Sequence, residues 1–190
     1  MDESGLIQLA AQHDEQAWEA LVRAHQQAVF RLAYLFAGDP DEAEDVAQET
    51  FIRAYRSIGR FDLSRPFRPW LLSIAANLAR NRLRGLKRYL AALQNAARRD
   101  LPPGPAAAGG ALSGPAEDAR SVWRSLRRMS LEDQQVIYLR YFLELSEEET
   151  STALDIPPGT VKSRLHRAVG RLRARLGQED PELFRPVSHG

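Results

Sequence analysis

The sequence predicts an all-α protein: two small helical domains joined by a flexible linker, the C-terminal one a helix-turn-helix. Three observations carry this. Apolar residues recur at helical spacing through almost every segment, and strand-period alternation is absent. Residues 100–116, DLPPGPAAAGGALSGPA, hold no large apolar side chain beyond two leucines, so they bury too little surface to offset the entropy of ordering. Residues 145–176, LSEEETSTALDIPPGTVKSRLHRAVGRLRARL, read as two short helices around a tight turn, the second dense with arginine. The expected division is a first domain over 1–90, a linker over 91–116, a second domain over 117–177 and a tail over 178–190.

The first long helix is written in DEQAWEALVRAHQQAVFRLAYLFAG. Trp18, Leu21, Val22, Val29, Leu32, Ala33 and Phe36 form a buried stripe, and Gly38 ends it. The next helix starts with Asp39 as N-cap, Pro40 at the first helical position and Glu42 two residues later. Its apolar arc is Ala43, Val46, Ala47, Thr50, Phe51, Ala54 and Ile58; the opposite stripe holds Asp41, Asp45, Gln48, Glu49, Ile52 and Arg56. Ile52 stands among polar neighbours, either as an ordinary exposed isoleucine or as an interface anchor with a polar rim. Gly59, Pro66 and Pro69 make GRFDLSRPFRP a loop. A third long helix begins near Pro66–Trp70 and places Asn77, Arg80, Asn81 and Arg84 on neighbouring turns. Arginines interleaved with Phe61, Phe67 and Trp70 suit single-stranded nucleic acid, where stacking is worth about 1–3 kcal/mol per base. The alternative is that Phe67 and Trp70 seat the helix in the core.

In the second domain, Ser130 with Asp133 and Ser146 with Glu149 mark helix starts. On the last helix, Val161, Leu165, Ala168, Leu172 and Leu176 share the core arc, and Ser163, His166, Arg167 and Gly170 point away. Lys162 and Arg173 flank one side; Thr160, Arg164 and Arg171 flank the other. This arrangement fits a DNA-reading helix, with Arg167 forking onto a guanine edge, Ser163 and His166 reaching other bases, and Lys162 or Arg171 holding phosphates. A basic, solvated helix in a bundle is the alternative, and the motif alone does not name an activity.

Composition excludes several classes. The chain has no cysteine, so disulfides, thiolate metal sites and thiol catalysis are ruled out. The four histidines lack ligand spacing, and neither a metal nor a cofactor is expected. No apolar run approaches the roughly 20 residues that span a bilayer, and MDESGLIQLA lacks a signal-peptide core. A cytoplasmic, non-enzymatic protein without membrane or small-molecule substrate is expected. The net charge of +1 conceals segregation: residues 1–50 carry 2 basic and 11 acidic side chains, and residues 51–100 carry 12 and 2. Such blocks indicate surfaces for partners of opposite sign.

Four ordered stretches, DEAEDVAQETFIRAYR, FRPWLLSIAANLARN, LEDQQVIYLRYF and GTVKSRLHRA, together resemble a bacterial RNA polymerase sigma factor of the sigma-70 family, and more closely its extracytoplasmic function (ECF) group. The resemblance covers roughly 14–88 and 117–176. It implies that Asp41, Asp45, Gln48, Glu49, Ile52 and Arg56 bind core polymerase through the β′ coiled coil, with the β subunit a further partner. It implies that Arg60, Phe61, Asp62, Arg65, Phe67, Asn77, Arg80, Asn81 and Arg84 take the −10 element as single-stranded bases. Thr160, Lys162, Ser163, Arg164, His166, Arg167 and Arg171 would read the −35 element in duplex DNA. The linker would thread through the polymerase, and an anti-sigma factor is an implied partner. One departure is Pro157–Pro158, where the family usually offers a hydroxyl cap. Two other readings stand beside this one: a dimeric helix-turn-helix regulator acting without polymerase, and an enzyme on an all-α scaffold. The regulator leaves the 41–56 stripe unexplained; the enzyme lacks any nucleophile–base pair, metal cluster or paired inward carboxylates.

Overall fold

The computed structural model describes residues 2–97 and 115–179. Among them there is no strand. The first region comprises α1 (Glu3–Ala11), α2 (Glu15–Ala37), α3 (Pro40–Ser57), a 3₁₀ turn (Ile58–Arg60) and α4 (Phe67–Ala97). The second comprises α5 (Pro115–Arg127), α6 (Leu131–Ile137), a π-helical turn (Tyr138–Phe142), α7 (Glu147–Leu154) and α8 (Pro158–Glu179). Most of the expected linker lies outside the described residues, although α4 continues through Ala97 and α5 already starts at Pro115.

Capping chemistry sets the helix starts. Asp39 Oδ1 accepts from Glu42 N at 3.0 Å with Pro40 at the helix start, and Asp14 Oδ1 accepts from Ala17 N at 2.8 Å. Ser146 and Glu149 form a reciprocal capping box, with bonds of 3.0 and 2.7 Å. Each such cap contributes about 1 kcal/mol. Gly38 ends α2 in the left-handed conformation, φ +71°, its N–H donating to Tyr34 O at 2.8 Å. A Cβ there would also overlap the guanidinium of Arg127, reaching Nη2 at 1.6 Å. Two expectations shift. Helix α1, closed over α2 by His25 Nε2–H donating to Glu3 Oε1 at 2.9 Å, is an element the periodicity did not isolate. Pro69 lies inside the first turn of α4 rather than in a loop, where its missing N–H costs no helical bond.

The core is continuous across both regions. Leu21, Val29, Leu32, Ala33 and Phe36 of α2 pack with Leu71, Leu72, Ala75 and Ala76 of α4. Phe36 then meets Tyr138 edge-on at 5.0 Å between ring centroids, and Tyr138 also contacts Trp123 and Phe142. Tyr138 is fully buried, its hydroxyl has no hydrogen-bond partner, and burial pushes its phenol up to about 12. A phenol held above its ordinary value of 10.0 contributes stability that is present below that pH and lost as pH rises towards 12. Tyr138→Phe removes an unsatisfied polar group and is expected to be at least as stable as the parent, by about 1 kcal/mol in urea unfolding. It should also abolish this alkaline loss, whereas Tyr138→Ala costs about 3–5 kcal/mol through the cavity it leaves.

Candidate functional site

Three solvent-facing surfaces collect the residues singled out in the sequence. The first is the outer stripe of α3. Asp41, Asp45, Gln48 and Arg56 are exposed, Glu49 is half-buried, and Ile52 is 45% exposed in their midst. Ala43, Val46, Thr50, Ala54 and Ile58 are buried on the opposite side, as their helical phase requires. The stripe borders a groove of about 480 Å³ against α4, into which Leu78, Asn81 and Arg82 project. Arg82 pairs with Asp45 at 3.1 Å and Glu42 at 3.4 Å, and Arg53 pairs with Glu49 at 2.7 Å. These exposed pairs add little stability, and they set charged side chains beside Ile52. Sequence reasoning missed Arg82, because its partners lie some 37 positions away on another helix.

The second surface is the loop after α3 together with α4. Asp62 shapes the loop: its Oδ1 accepts from Ser64 N at 2.9 Å and from Ser64 Oγ at 2.8 Å. The backbone bond, then the hydroxyl bond, hold its carboxyl below the usual 3.8. Phe61, Phe67 and Trp70 form a mutual cluster with centroid separations of 4.8–5.5 Å. Within it Phe67 is only 2% exposed and also meets His25, so this residue belongs to the core and has no face to offer a base. Phe61 and Trp70 remain half-exposed, while Arg60, Arg65, Asn77 and Arg84 are exposed. Asn77 Oδ1 accepts from Arg80 Nη2 at 2.7 Å, which presents the two as one unit. Asn81 parts company with them. It opens onto the α3 groove, whereas Asn77 and Arg80 open onto a cleft against the second region.

The third surface is α8. Val161, Ala168 and Leu176 are buried, and Lys162, Ser163, His166, Arg167 and Arg173 are exposed. Thr160 and Arg164 are half-buried at the flanks. Pro157 caps the helix through its carbonyl alone, accepting from Thr160 N at 2.9 Å and Val161 N at 3.1 Å. Asp155 turns the chain in the left-handed region at φ +53°. Arg171 has a partner within the protein: its guanidinium grips Asp133 of α6 with two bonds, 2.8 and 2.6 Å, and clamps the two helices together while its side chain stays half exposed. That bond to Asp133 raises the Arg171 pKa further. Tyr141, 61% exposed on the π-helical turn, stands beside Lys162, His166 and Arg167, a neighbourhood that no local spacing marks. Among the described residues no helix is long and apolar enough to cross a membrane, and no group of acids and histidines is arranged for a metal ion.

Two family models match in this order: Sigma-70 region 2 over residues 21–89 and Sigma-70, region 4 over residues 119–172. The chain is 36% identical to the ECF RNA polymerase sigma factor SigW of Bacillus subtilis, over 86% of this chain and 90% of that protein. The chain belongs to the ECF group of the sigma-70 family. It is also 31% identical to the RNA polymerase sigma factor NccH of Alcaligenes xylosoxydans xylosoxydans, covering 92% of this chain and 94% of that one. Among solved structures, CnrH in complex with the cytosolic domain of CnrY superposes with a TM-score of 0.70 at 28% identity, over 94% of this chain and 99% of that one. The Bartonella quintana sigma factor RpoE, solved with the anti-sigma factor NepR, shares the fold with a TM-score of 0.63 at 23% identity, over 83% and 95%. This sigma factor therefore carries a region 2 built on α2–α4 and a region 4 built on α5–α8. Arg171→Ala is expected to lower the melting temperature of region 4 while leaving the preferred −35 sequence unchanged, as measured by calorimetry beside a binding-site selection.

Proposed function

We propose that the three surfaces divide the work of promoter opening. The α3 stripe of Asp41, Asp45, Gln48, Glu49, Ile52 and Arg56 docks the β′ coiled coil of core polymerase, with Ile52 as apolar anchor and the ion-paired acids as polar rim. The loop and α4 hold the opened −10 strand: Phe61 and Trp70 offer faces for stacking, and Arg60, Arg65, Arg80 and Arg84 neutralise phosphate. The exposed side of α8 enters the major groove at −35, Arg167 forking onto a guanine and Ser163 and His166 reaching adjacent edges. Such a factor acts in the cytoplasm as a binding subunit without catalysis of its own. The observation that supports this most is Ile52, exposed within an acidic stripe in a chain that also presents a basic reading helix.

Energetics favour capture over motor action. Duplex stacking averages about 1.4 kcal/mol per step, so opening several pairs costs several kcal/mol. The sequence has no phosphate-binding G-x4-G-K-[ST] loop. Melting is driven instead by binding energy, a few stacked bases at about 1–3 kcal/mol each offsetting the lost pairs. A regulatory protein belongs among the partners: the family resemblance implies an anti-sigma factor, and CnrH was solved with the cytosolic domain of CnrY.

The test adds purified protein to core polymerase on a random promoter library and sequences transcript 5′ ends. Start sites sharing a −35/−10 pair are expected, and Asp45→Arg with Gln48→Ala should abolish them while −35 duplex binding persists. DNA binding without initiation would instead assign the chain to helix-turn-helix regulators that act without polymerase. A second measurement divides the α8 residues. Arg167→Ala should cost about 1–3 kcal/mol at one base position and relax specificity there. Lys162→Ala should weaken all sequences alike and reduce the salt slope by about 1.

A further inference from the structure

The aromatic cluster beside the loop is braced from the N-terminal helix. Glu3 of α1 accepts a hydrogen bond from His25 Nε2–H on α2 at 2.9 Å. His25 is 7% exposed, and a buried imidazole N–H left without an acceptor costs free energy. The bond also selects the ring's orientation, because the last torsion of a histidine is broad and leaves that choice to its partners. The imidazole lies against Phe67, with 5.3 Å between centroids and a tilt of 52°. Phe67 in turn meets Phe61 edge-on at 5.5 Å and Trp70 at 5.3 Å, and those two rings lie 4.8 Å apart. Helix α1 also packs on the 3₁₀ turn, Ile58–Arg60, from which the loop departs. Glu3 lies outside residues 21–89, the stretch matched by the region 2 model.

Resting on the −10 assignment above, we propose that Glu3 and His25 are positioning residues for the −10 strand, acting through Phe67 to hold Phe61 and Trp70 in a stacking orientation. Phe67 is 2% exposed and has no face to offer a base; its place at the centre of the cluster gives it a different part. It transmits the orientation of the imidazole to two half-exposed rings. A stacking platform set beforehand spares the ordering cost that loose rings incur when the bases arrive. Neither Glu3 nor His25 contacts the strand. The segment around α1 has a second tether, His13 Nδ1 to Tyr55 Oη of α3 at 3.2 Å. The ring contacts of Tyr55 and its neighbours lead to Trp18 and Phe51 and not to Phe67. Of the two tethers, only the carboxylate of Glu3 reaches the −10 surface.

The test assembles the full chain with core polymerase and adds a −10 single strand from the promoter selection, carrying a fluorescent base analogue that stacking quenches. Glu3→Ala is expected to weaken the single strand roughly two- to ten-fold and to leave part of the fluorescence unquenched at saturation. Glu3→Gln keeps an acceptor for the imidazole and should restore both readouts. A −35 duplex should bind parent and variants equally. His13→Ala cuts only the Tyr55 tether and should match the parent. Parent-like affinity and quenching in Glu3→Ala overturn the proposal. Equal losses in Glu3→Ala and His13→Ala overturn it too, since they mean a general fastening of α1. Phe61→Ala separates the two levels. Strand binding lost in Phe61→Ala but kept in Glu3→Ala brings down the brace alone, and binding kept in both brings down the −10 assignment itself.

Discussion

Arg171 reaches from α8 to Asp133 on α6 through two short, nearly parallel hydrogen bonds, and Asp133 is almost wholly buried beneath it. A carboxylate taken out of water requires such a partner, since a buried charge left unpaired is strongly destabilising. The bond therefore ties α8 to α6, and the exposed side chains of α8 inherit its orientation. The same guanidinium–carboxylate chemistry recurs at Arg82 with Asp45 and at Arg84 with Glu132, but there both partners are half exposed. Burial separates the pairs: Asp133 is shut away from water, whereas both members of the other two pairs stay open to solvent.

That gradient gives the molecule an order. Within each region the apolar stripes of α2, α4 and α8 supply the packing. On the outside, the α3 stripe is acidic and the exposed α8 face is basic. Between them the apolar core runs on through Phe36 and Tyr138, bordered by a few hydrogen bonds and a polar cleft.

What was legible in the sequence is what depends on near neighbours along the chain. Asp39, Ser130 and Ser146 cap as their spacing requires, and the buried and exposed arcs of α3 and α8 fall where a 100° step puts them. What was not legible depends on distant neighbours. Phe67 reads as a base-stacking ring until His25, Phe61 and Trp70 are seen around it. The clasp of Arg171 on Asp133 cannot be read along the chain, because the two lie 38 positions apart on different helices. Asn77 and Asn81 lie one helical turn apart yet open onto different hollows, because α3 covers one flank of α4 and α7 the other. Helix α1 escaped notice because only two of its residues, Ile7 and Ala10, are fully buried.

The π-helical turn at Tyr138–Phe142 has one further implication. A π turn is an α-helix holding one residue more than its ladder needs, so the segment following α6 runs a step out of phase with it. Deleting a single codon would restore the phase and rotate the downstream side chains by about 100°. Tyr141 would leave its place beside Lys162, His166 and Arg167, and another residue of the segment would take its bearing. The border of the exposed α8 face is thus adjustable by a one-residue length change in the turn, without any edit to α8 itself.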